Sequence, residues 1–438
     1  MSGKPGGMSL AKGIVIAAPR SGSGKTVITL GLLAALRRRG VVVAPAKTGP
    51  DYIDPAFLGR AALREAVNLD PWSMSPARLK SLAAIQAVGA DLLLVEGVMG
   101  LFDGAADGFG STADLAELLE LPVVLVVDAE RQSQSVAPLV AGFANWRPGV
   151  RVAGVILNRV ASMKHERMLV DALTATGIPC LGAIPRNANL VLPERHLGLV
   201  MPDEVAAFAA FVDTAAEAVG DYVDLERLRG LAAPIAEGDA APAPLPPLGQ
   251  RIAIARDDAF AFLYPHLLDG WRAMGAELNF FSPLANEAPP DDCDAVFLPG
   301  GYPELHGGTL AAANHFRAGL IAARDRHALI YGECGGFMVL GEALVDKAGE
   351  THAMAGLLPV TTRIDRPKRI LGYRRLVQSG DLPWPGRLQG HEFHYSSARQ
   401  SRLPPLFAAT DARGEAMPPI GAVIGRVMGS YAHVVDAA

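Results

Sequence analysis

The chain runs to 438 residues, 50% of them hydrophobic and 19% charged, a balance that excludes wholesale disorder. At roughly 150 residues per domain this length predicts two or three domains. The net charge of −5 lacks the basic footprint of a nucleic-acid binder, so any anionic substrate has to meet a local cationic pocket.

Cys180, Cys293 and Cys334 are the 3 cysteines, none at CxxC spacing, which argues against a disulfide framework or a cysteine-built zinc site. No uncharged apolar run approaches the roughly 18 residues of a membrane span. The opening MSGKPGGMSLAKG lacks the apolar stretch of a signal peptide, so the cytoplasm is the expected compartment. In chain order, the apolar runs are Gly13–Ala18, Val41–Ala46, Asp91–Glu96, Pro122–Asp128 and Arg151–Leu157. They are rich in Val, Ile and Leu on both alternations, as in strands buried on both faces of a parallel sheet. Helical patterns fall between them, among them Lys25–Arg39, Thr112–Glu120 and Lys164–Thr176. This rhythm predicts an α/β, doubly wound domain over residues 1–230. Residues 231–250, LAAPIAEGDAAPAPLPPLGQ, alternate Ala with Pro and read as a semi-rigid linker. Over 251–438 the rhythm recurs in Arg251–Ala255, Glu277–Phe281, Ala295–Leu298 and Ala328–Tyr331, which predicts a second α/β domain richer in turns and strands past about residue 355.

The first strand runs into PRSGSGKT, Pro19 to Thr26, and then a helix, the context of a phosphate-binding loop. Pro19 stands where the strict pattern has Gly. Around Ser23, Gly22 and Gly24 let backbone N–H groups approach phosphate, Lys25 adds a full charge, and Thr26 can ligate Mg²⁺. Asp51 and Asp54 lie in GPDYIDP past the second strand, Glu96 ends DLLLVE, and Asp103 follows in GVMGLFDG. Ligands of parallel α/β sheets sit at the carboxyl ends of the strands, where these carboxylates can hold Mg²⁺ between phosphates and a second substrate. Asn158, after the fifth strand, has an amide able to read a base edge.

Beyond the linker, ALIYGECGGF (Ala328–Phe337) is a strand, then Gly-x-Cys-x-Gly, then a helical pattern. A nucleophile on so sharp a turn needs flanking glycines and gains backbone donors, here from Gly335; a helix N-terminus there predicts a lowered thiol pKa for Cys334. Upstream, FLPGGYPE ends a strand in a Gly-Gly turn whose Gly301 can supply the other oxyanion N–H. The general base comes from elsewhere: His433 of GSYAH is favoured, with His391 and His394 of GHEFHY as rivals. Cys180 and Cys293 lack such a frame and read as structural. A thiol, an oxyanion hole and a His perform acyl transfer, and an ATP site drives an uphill bond, which together suggest an amide cleaved in one domain and its ammonia used in the other.

The ordered segments SGSGKT, GPDYIDP, VEGVMGLFDG, LPERHLGL, PGGYPE, GECGGF, LGYR, GHEFHYS and GSYAH span nearly the whole chain. In this set the sequence resembles the cobyrinate a,c-diamide synthases, hydrogenobyrinate a,c-diamide synthases included. The resemblance implies a P-loop synthetase domain of the dethiobiotin-synthetase type followed by a class I glutamine amidotransferase domain. It implies that ATP phosphorylates a carboxylate of a corrin-type polycarboxylate and that ammonia from L-glutamine displaces the phosphate, at the c and then the a acetate. Carried over by motif, Lys25 and Thr26 serve ATP and Mg²⁺. Asp51, Asp54, Glu96 and Asp103 serve metal, phosphate or carboxylate activation, Cys334 is the glutaminase nucleophile and His433 its base. Arg195 and His196 are expected at the substrate or the domain interface, and a homodimer is a further expectation. Amidotransferases of this class usually carry Glu two residues after the His, where this chain has Val435; the cobyrinate branch generally lacks it too, and Asp436 is a candidate to orient His433. Arg363, Arg366, Lys368, Arg369, Arg374 and Arg375 form a basic run that suits either a polycarboxylate or a solvated face. Alternatives are a cobyric acid synthase, a nickel-sirohydrochlorin a,c-diamide synthase or, in another class, a partitioning-type ATPase switch, which carries Lys where Arg20 stands and needs no reactive Cys.

Overall fold

A computed structural model describes residues 11–191, 208–236, 243–398 and 403–438, with the backbone alone of Glu194–Arg195, Gly198–Leu199 and 399–400. These residues form two compact units, the first drawn from residues up to Pro242 and the second essentially Ala243–Ala438.

In the first unit the chain runs β1 (Lys12–Ala17), α1 (Lys25–Arg38), β2 (Val43–Thr48), α2 (Ile53–Ala62), β3 (Val67–Leu69), α3 (Pro76–Ala87), β4 (Leu92–Glu96), α4 (Thr112–Leu118), β5 (Val123–Asp128), α5 (Val136–Asn145), β6 (Val152–Val160), α6 (Met163–Thr174) and β7 (Cys180–Pro185). A two-residue ribbon, β8 (Glu194–Arg195) with β9 (Gly198–Leu199), precedes α7 (Phe208–Tyr222), α8 (Leu225–Leu231) and β10 (Ala233–Pro234). The expected parallel sheet is present, in the order β3-β2-β4-β1-β5-β6-β7. β2, β4 and β5 are buried at every position, which is why their sequences lack a polar alternation. The order reverses beside β1, so the loop after β1 opens at the switch point where α/β sheets bind ligands. Ser75 caps α3, Ser111 with Asp114 forms a capping box on α4, and Ser162 caps α6, so local sequence sets these helix starts.

The Ala/Pro segment is engaged at both ends. Ala233 and Pro234 pair antiparallel with Gly13 and Lys12, and Leu245 and Leu248 are buried. Residues 237–242 lie outside the described residues.

The second unit runs β11 (Arg251–Ala255), α9 (Pro265–Ala273), β12 (Glu277–Phe281), β13 (Ala295–Leu298), α10 (Gly307–Ala312), α11 (Asn314–Asp325), β14 (Leu329–Glu333) and α12 (Gly335–Leu340). It continues through β15 (Ala343–Val345), β16 (Thr351–Ala353), β17 (Val360–Arg363), β18 (Ile370–Gln378), β19 (Arg387–His394), β20 (Ser397–Gln400), β21 (Phe407–Thr410), β22 (Ala422–Ile424), β23 (Val427–Ser430) and β24 (His433–Ala437). The main sheet, β12-β11-β13-β14-β23-β22, is parallel except for the β22–β23 pair. An antiparallel sheet, β21-β18-β19-β24, and a mixed one, β16-β15-β17-β20, make up the strand-rich tail. Phe260, Phe316, Phe337 and Ile330 lie in the core of this unit. Among the described residues no helix is long and apolar enough to cross a membrane.

Candidate active sites

The loop from β1 to α1 is held by its own backbone and by the ends of β5 and β6. Ser23 Oγ donates to Arg20 O at 2.9 Å. Arg159 Nη1 donates to Gly22 O at 3.0 Å and to Asp128 Oδ2 at 2.8 Å, and Arg20 Nη2 lies 3.3 Å from the same Asp128 oxygen. Gly24 caps α1 with φ +85°, and a Cβ there would sit 2.2 Å from Asn158 Nδ2, so only glycine fits. Asn158 donates from Nδ2 to Ser23 O at 2.9 Å and accepts Arg159 N at 2.9 Å on Oδ1. Its amide, expected at a base edge, engages the loop through one N–H and Arg159 through its carbonyl oxygen.

Behind the loop lies a buried cluster of charges. Glu96 Oε1 accepts Lys25 Nζ at 2.7 Å, Thr26 Oγ1 at 2.6 Å and Lys47 Nζ at 3.1 Å. Lys47 also donates to Asp54 and, at 3.2 Å, to Gly97 O. Burial alone would push Glu96 up, but the two lysines and the Lys25 and Thr26 hydrogen bonds outweigh it and pull the carboxyl down to about 2. Burial likewise works against the charge on Lys47, but Asp54, Glu96 and Asp51 overcome it and hold the ammonium above its ordinary range. Burial lowers Lys25.

Of the expected carboxylates, Asp54 and Glu96 meet through Lys47. Asp51 Oδ1 accepts Ile53 N at 2.8 Å and Asp54 N at 3.1 Å, capping the turn into α2. Asp103 is exposed and accepts Gly100 N at 2.8 Å. Lys47 escaped the sequence reading, although it was visible as a lone cation within an apolar strand. The side chain of Arg195, on β8, and all of His196 lie outside the described residues.

In the second unit Cys334 stands between β14 and α12 with φ +48° and ψ −107°, a strained turn for a residue with a Cβ. Its N–H is tied to Ser430 O at 2.8 Å, which joins the turn to β23. The glycines permit close packing. A Cβ on Gly336 would fall 1.9 Å from Leu298 O, and one on Gly335 3.0 Å from Gly301 N. The candidate oxyanion donors Gly301 and Gly335 are thus brought together.

The expectation of a lowered thiol pKa is corrected. Cys334 is only 3% exposed; burial and then the carboxylates of Glu304, Glu333 and Glu392 push its thiol well up. A helix of six residues offers too little to oppose them. Cys180 is half-buried and Cys293 buried, and burial raises both thiols.

His433, which opens β24, is fully buried among Phe262 and Tyr264, with ring centroids 6.3 and 6.5 Å away. A Cβ on Gly300 would meet its Cε1 at 2.3 Å and its Nε2 at 3.0 Å, so this edge of the ring faces the PGG turn. Its Nδ1 lies 3.7 Å from Glu333 Oε2. Burial, with His391 and His394 nearby, pulls the imidazole down to about 3.

The rivals are engaged otherwise: His391 packs edge-on against Tyr373 at 5.3 Å, and His394 stacks on Tyr431 at 4.3 Å and shares a hydrogen bond with Ser396 Oγ at 2.9 Å. Asp436, the sequence candidate for orienting His433, accepts Ala437 N at 2.9 Å. Three of the six basic residues are individually engaged. Arg374 is buried on Glu392, Arg363 pairs with Asp365, and Arg375 donates to Ala412 O at 2.7 Å.

Residues 14–200 match the CobQ/CobB/MinD/ParA nucleotide binding domain, and residues 251–437 the CobB/CobQ-like glutamine amidotransferase domain. The chain is 54% identical over 429 residues to the hydrogenobyrinate a,c-diamide synthase of Brucella suis, covering 97% of this chain and 98% of that protein. It is 52% identical over 425 residues to that of Rhizobium meliloti, covering 97% and 99%. Against that of Rhodobacter capsulatus the figures are 49% over 437 residues, with 97% and 98% covered.

Proposed function

Since the chain belongs to the hydrogenobyrinate a,c-diamide synthase family, we propose that it converts the a and c acetate carboxylates of hydrogenobyrinate into amides, using ATP and glutamine. The observation that carries this is one chain holding a phosphate loop backed by the Lys25, Lys47 and Glu96 cluster and a glycine-framed cysteine directly after Glu333, whose carboxyl lies 3.7 Å from the buried His433. In the first unit the loop N–H groups of Gly22 to Thr26 and Lys25 bind the phosphates, and Asn158 helps hold the loop in shape. The γ-phosphoryl group passes to a substrate carboxylate, and ammonia then displaces phosphate from the acyl phosphate. Asp54 and Asp103 serve activation of that carboxylate, with Arg195 and His196 at the substrate.

Thr26 and Glu96 would hold Mg²⁺, with Asp51 as a further ligand. Glu96 Oε2, buried and unpartnered among the described residues, suits that role. When bound, the ion would neutralise phosphate charge.

In the second unit His433 Nε2 takes the Cys334 proton and the sulfur attacks the glutamine carboxamide carbon. The Gly301 and Gly335 N–H groups hold the oxyanion, the proton leaves with ammonia, and water releases glutamate from the thioester. At rest the thiol is neutral and the imidazole unprotonated, which fits slow hydrolysis until the other substrates bind. A cytoplasmic homodimer completes the reading.

The test is mass spectrometry of products formed from hydrogenobyrinate with ATP, Mg²⁺ and glutamine. A gain of two amide groups and no more is expected. No gain refutes the reading, and further amides would favour cobyric acid synthase chemistry.

A further inference from the structure

We propose that Glu333 is the positioning residue for His433, taking from the nucleophile's own strand the place that Val435 leaves without a carboxylate. The inference rests on the glutaminase reading of Cys334 and His433. Glu333 is the last residue of β14 and directly precedes Cys334; its side chain is only 2% exposed. Its Oε1 accepts Tyr331 OH at 2.9 Å and Val434 N at 3.0 Å. Val434 follows His433, so this oxygen fixes the backbone that carries the imidazole. The other oxygen, Oε2, faces His433 Nδ1 at 3.7 Å. The opposite edge of the ring, Cε1 and Nε2, faces Gly300 of the turn that also carries Gly301.

Two ring nitrogens thus have two different surroundings. A proton on Nδ1 points at the Glu333 carboxyl, which leaves the Nε2 lone pair as the acceptor on the side of the oxyanion turn. When the Cys334 S–H proton moves to Nε2, sulfur keeps the electron pair and attacks the carboxamide carbon. The imidazolium so formed lies against Glu333 Oε2, and its Nε2 proton later leaves on ammonia. Glu333 neither touches substrate nor exchanges a proton in this sequence; it sets the tautomer and the ring's direction. β14 and β23 are paired in register at Glu333 and Ser430, three residues before His433, so main-sheet pairing brings nucleophile and base together.

The test is Glu333→Gln in the full chain. The amide oxygen can still accept from Tyr331 and Val434, but the amide NH₂ then faces Nδ1 and favours the tautomer with its proton on Nε2. Loss of the orienting carboxylate in such a site costs about 10²–10⁴-fold in kcat. Glutamine-driven amidation should fall by that factor in kcat with KM for glutamine within about threefold. Inactivation by the glutamine analogue 6-diazo-5-oxo-L-norleucine should slow in parallel, and the rate with ammonium chloride should hold. Tyr331→Phe, which removes only the other donor to Oε1, should keep kcat within about threefold. An E333Q enzyme that retains its glutamine-driven kcat, or that loses its ammonium-driven rate in equal measure, overturns the proposal. Cys334→Ala separates the levels: if that variant still uses glutamine, the glutaminase reading itself fails, whereas if it does not and E333Q does, only the role of Glu333 fails.

Discussion

Lys47→Met is the most incisive perturbation of the first unit. The side chain of Lys47 is 1% exposed and bridges Asp54 and Glu96, whose side chains are 11% and 0% exposed. Met has similar bulk, so the substitution leaves little cavity and removes mainly the charge. Glu96 keeps Lys25, whereas Asp54 loses the partner that Lys47 supplies. Breaking a buried ion pair from one side costs about 3–5 kcal/mol. At roughly 2–4 °C per kcal/mol for a unit of this size, Tm should drop by roughly 6–20 °C. Calorimetry of the full chain, with and without ATP, reads this in the transition that ATP raises. The loss should also depend on pH. Burial, only partly offset by Lys47, already pushes Asp54 up to about 6, and removing Lys47 raises it further. Below that range the lone carboxyl takes up a proton and is no longer an uncompensated charge, so the deficit should be larger at pH 8 than at pH 5. A transition unchanged within about 2 °C, or a deficit that grows on acidification, would refute the reasoning.

Cys334→Ala should abolish glutamine-driven amidation while ammonium still serves, and Lys25→Ala should abolish both by removing charge stabilisation of the transferring phosphoryl group; paired rate assays with the two nitrogen donors check this. Glu96 has a folded pKa of about 2 against an ordinary 4.5, so its contribution is present above pH 4.5 and is lost as pH falls through 2. That amounts to roughly 3 kcal/mol, read as the gap between native and Glu96→Gln in urea titrations at pH 5 and pH 2.5; a gap that does not narrow at the lower pH counts against the assignment. Gly336→Ala puts a Cβ 1.9 Å from the backbone oxygen of Leu298, so it should cost at least about 3 kcal/mol in chemical denaturation or block glutaminase turnover outright; a variant of native stability and rate would show that the turn is not tightly built.

The legible parts of the fold were those whose sequence repeats a physical constraint. Ile14–Ile16, Leu92–Val95 and Val123–Val127 are apolar on both alternations because helices cover both faces of their sheet. GPDYIDP was harder to read. It looked like a carboxylate-bearing turn, yet its second half opens α2, because Asp51 satisfies the first amides of that helix. The phosphate loop and the cysteine turn were readable from glycine spacing. Lys47 and Glu333 were not, because each is a charge inside a buried strand whose partners arrive from distant sequence: Glu96 for one, His433 and Val434 for the other. The thiol pKa misled for a related reason. A turn before a helix promises a lowered value, but the depth of the site and its surrounding carboxylates are tertiary facts.

The proton inventory of the cysteine centre has a chemical consequence beyond turnover. Burial pulls His433 down to about 3 and pushes the Cys334 thiol well up, so at neutral pH neither carries charge. Thiolates, not thiols, attack peroxides and disulfides. A buried nucleophile that keeps its hydrogen is therefore a poor partner for oxidants during its idle time.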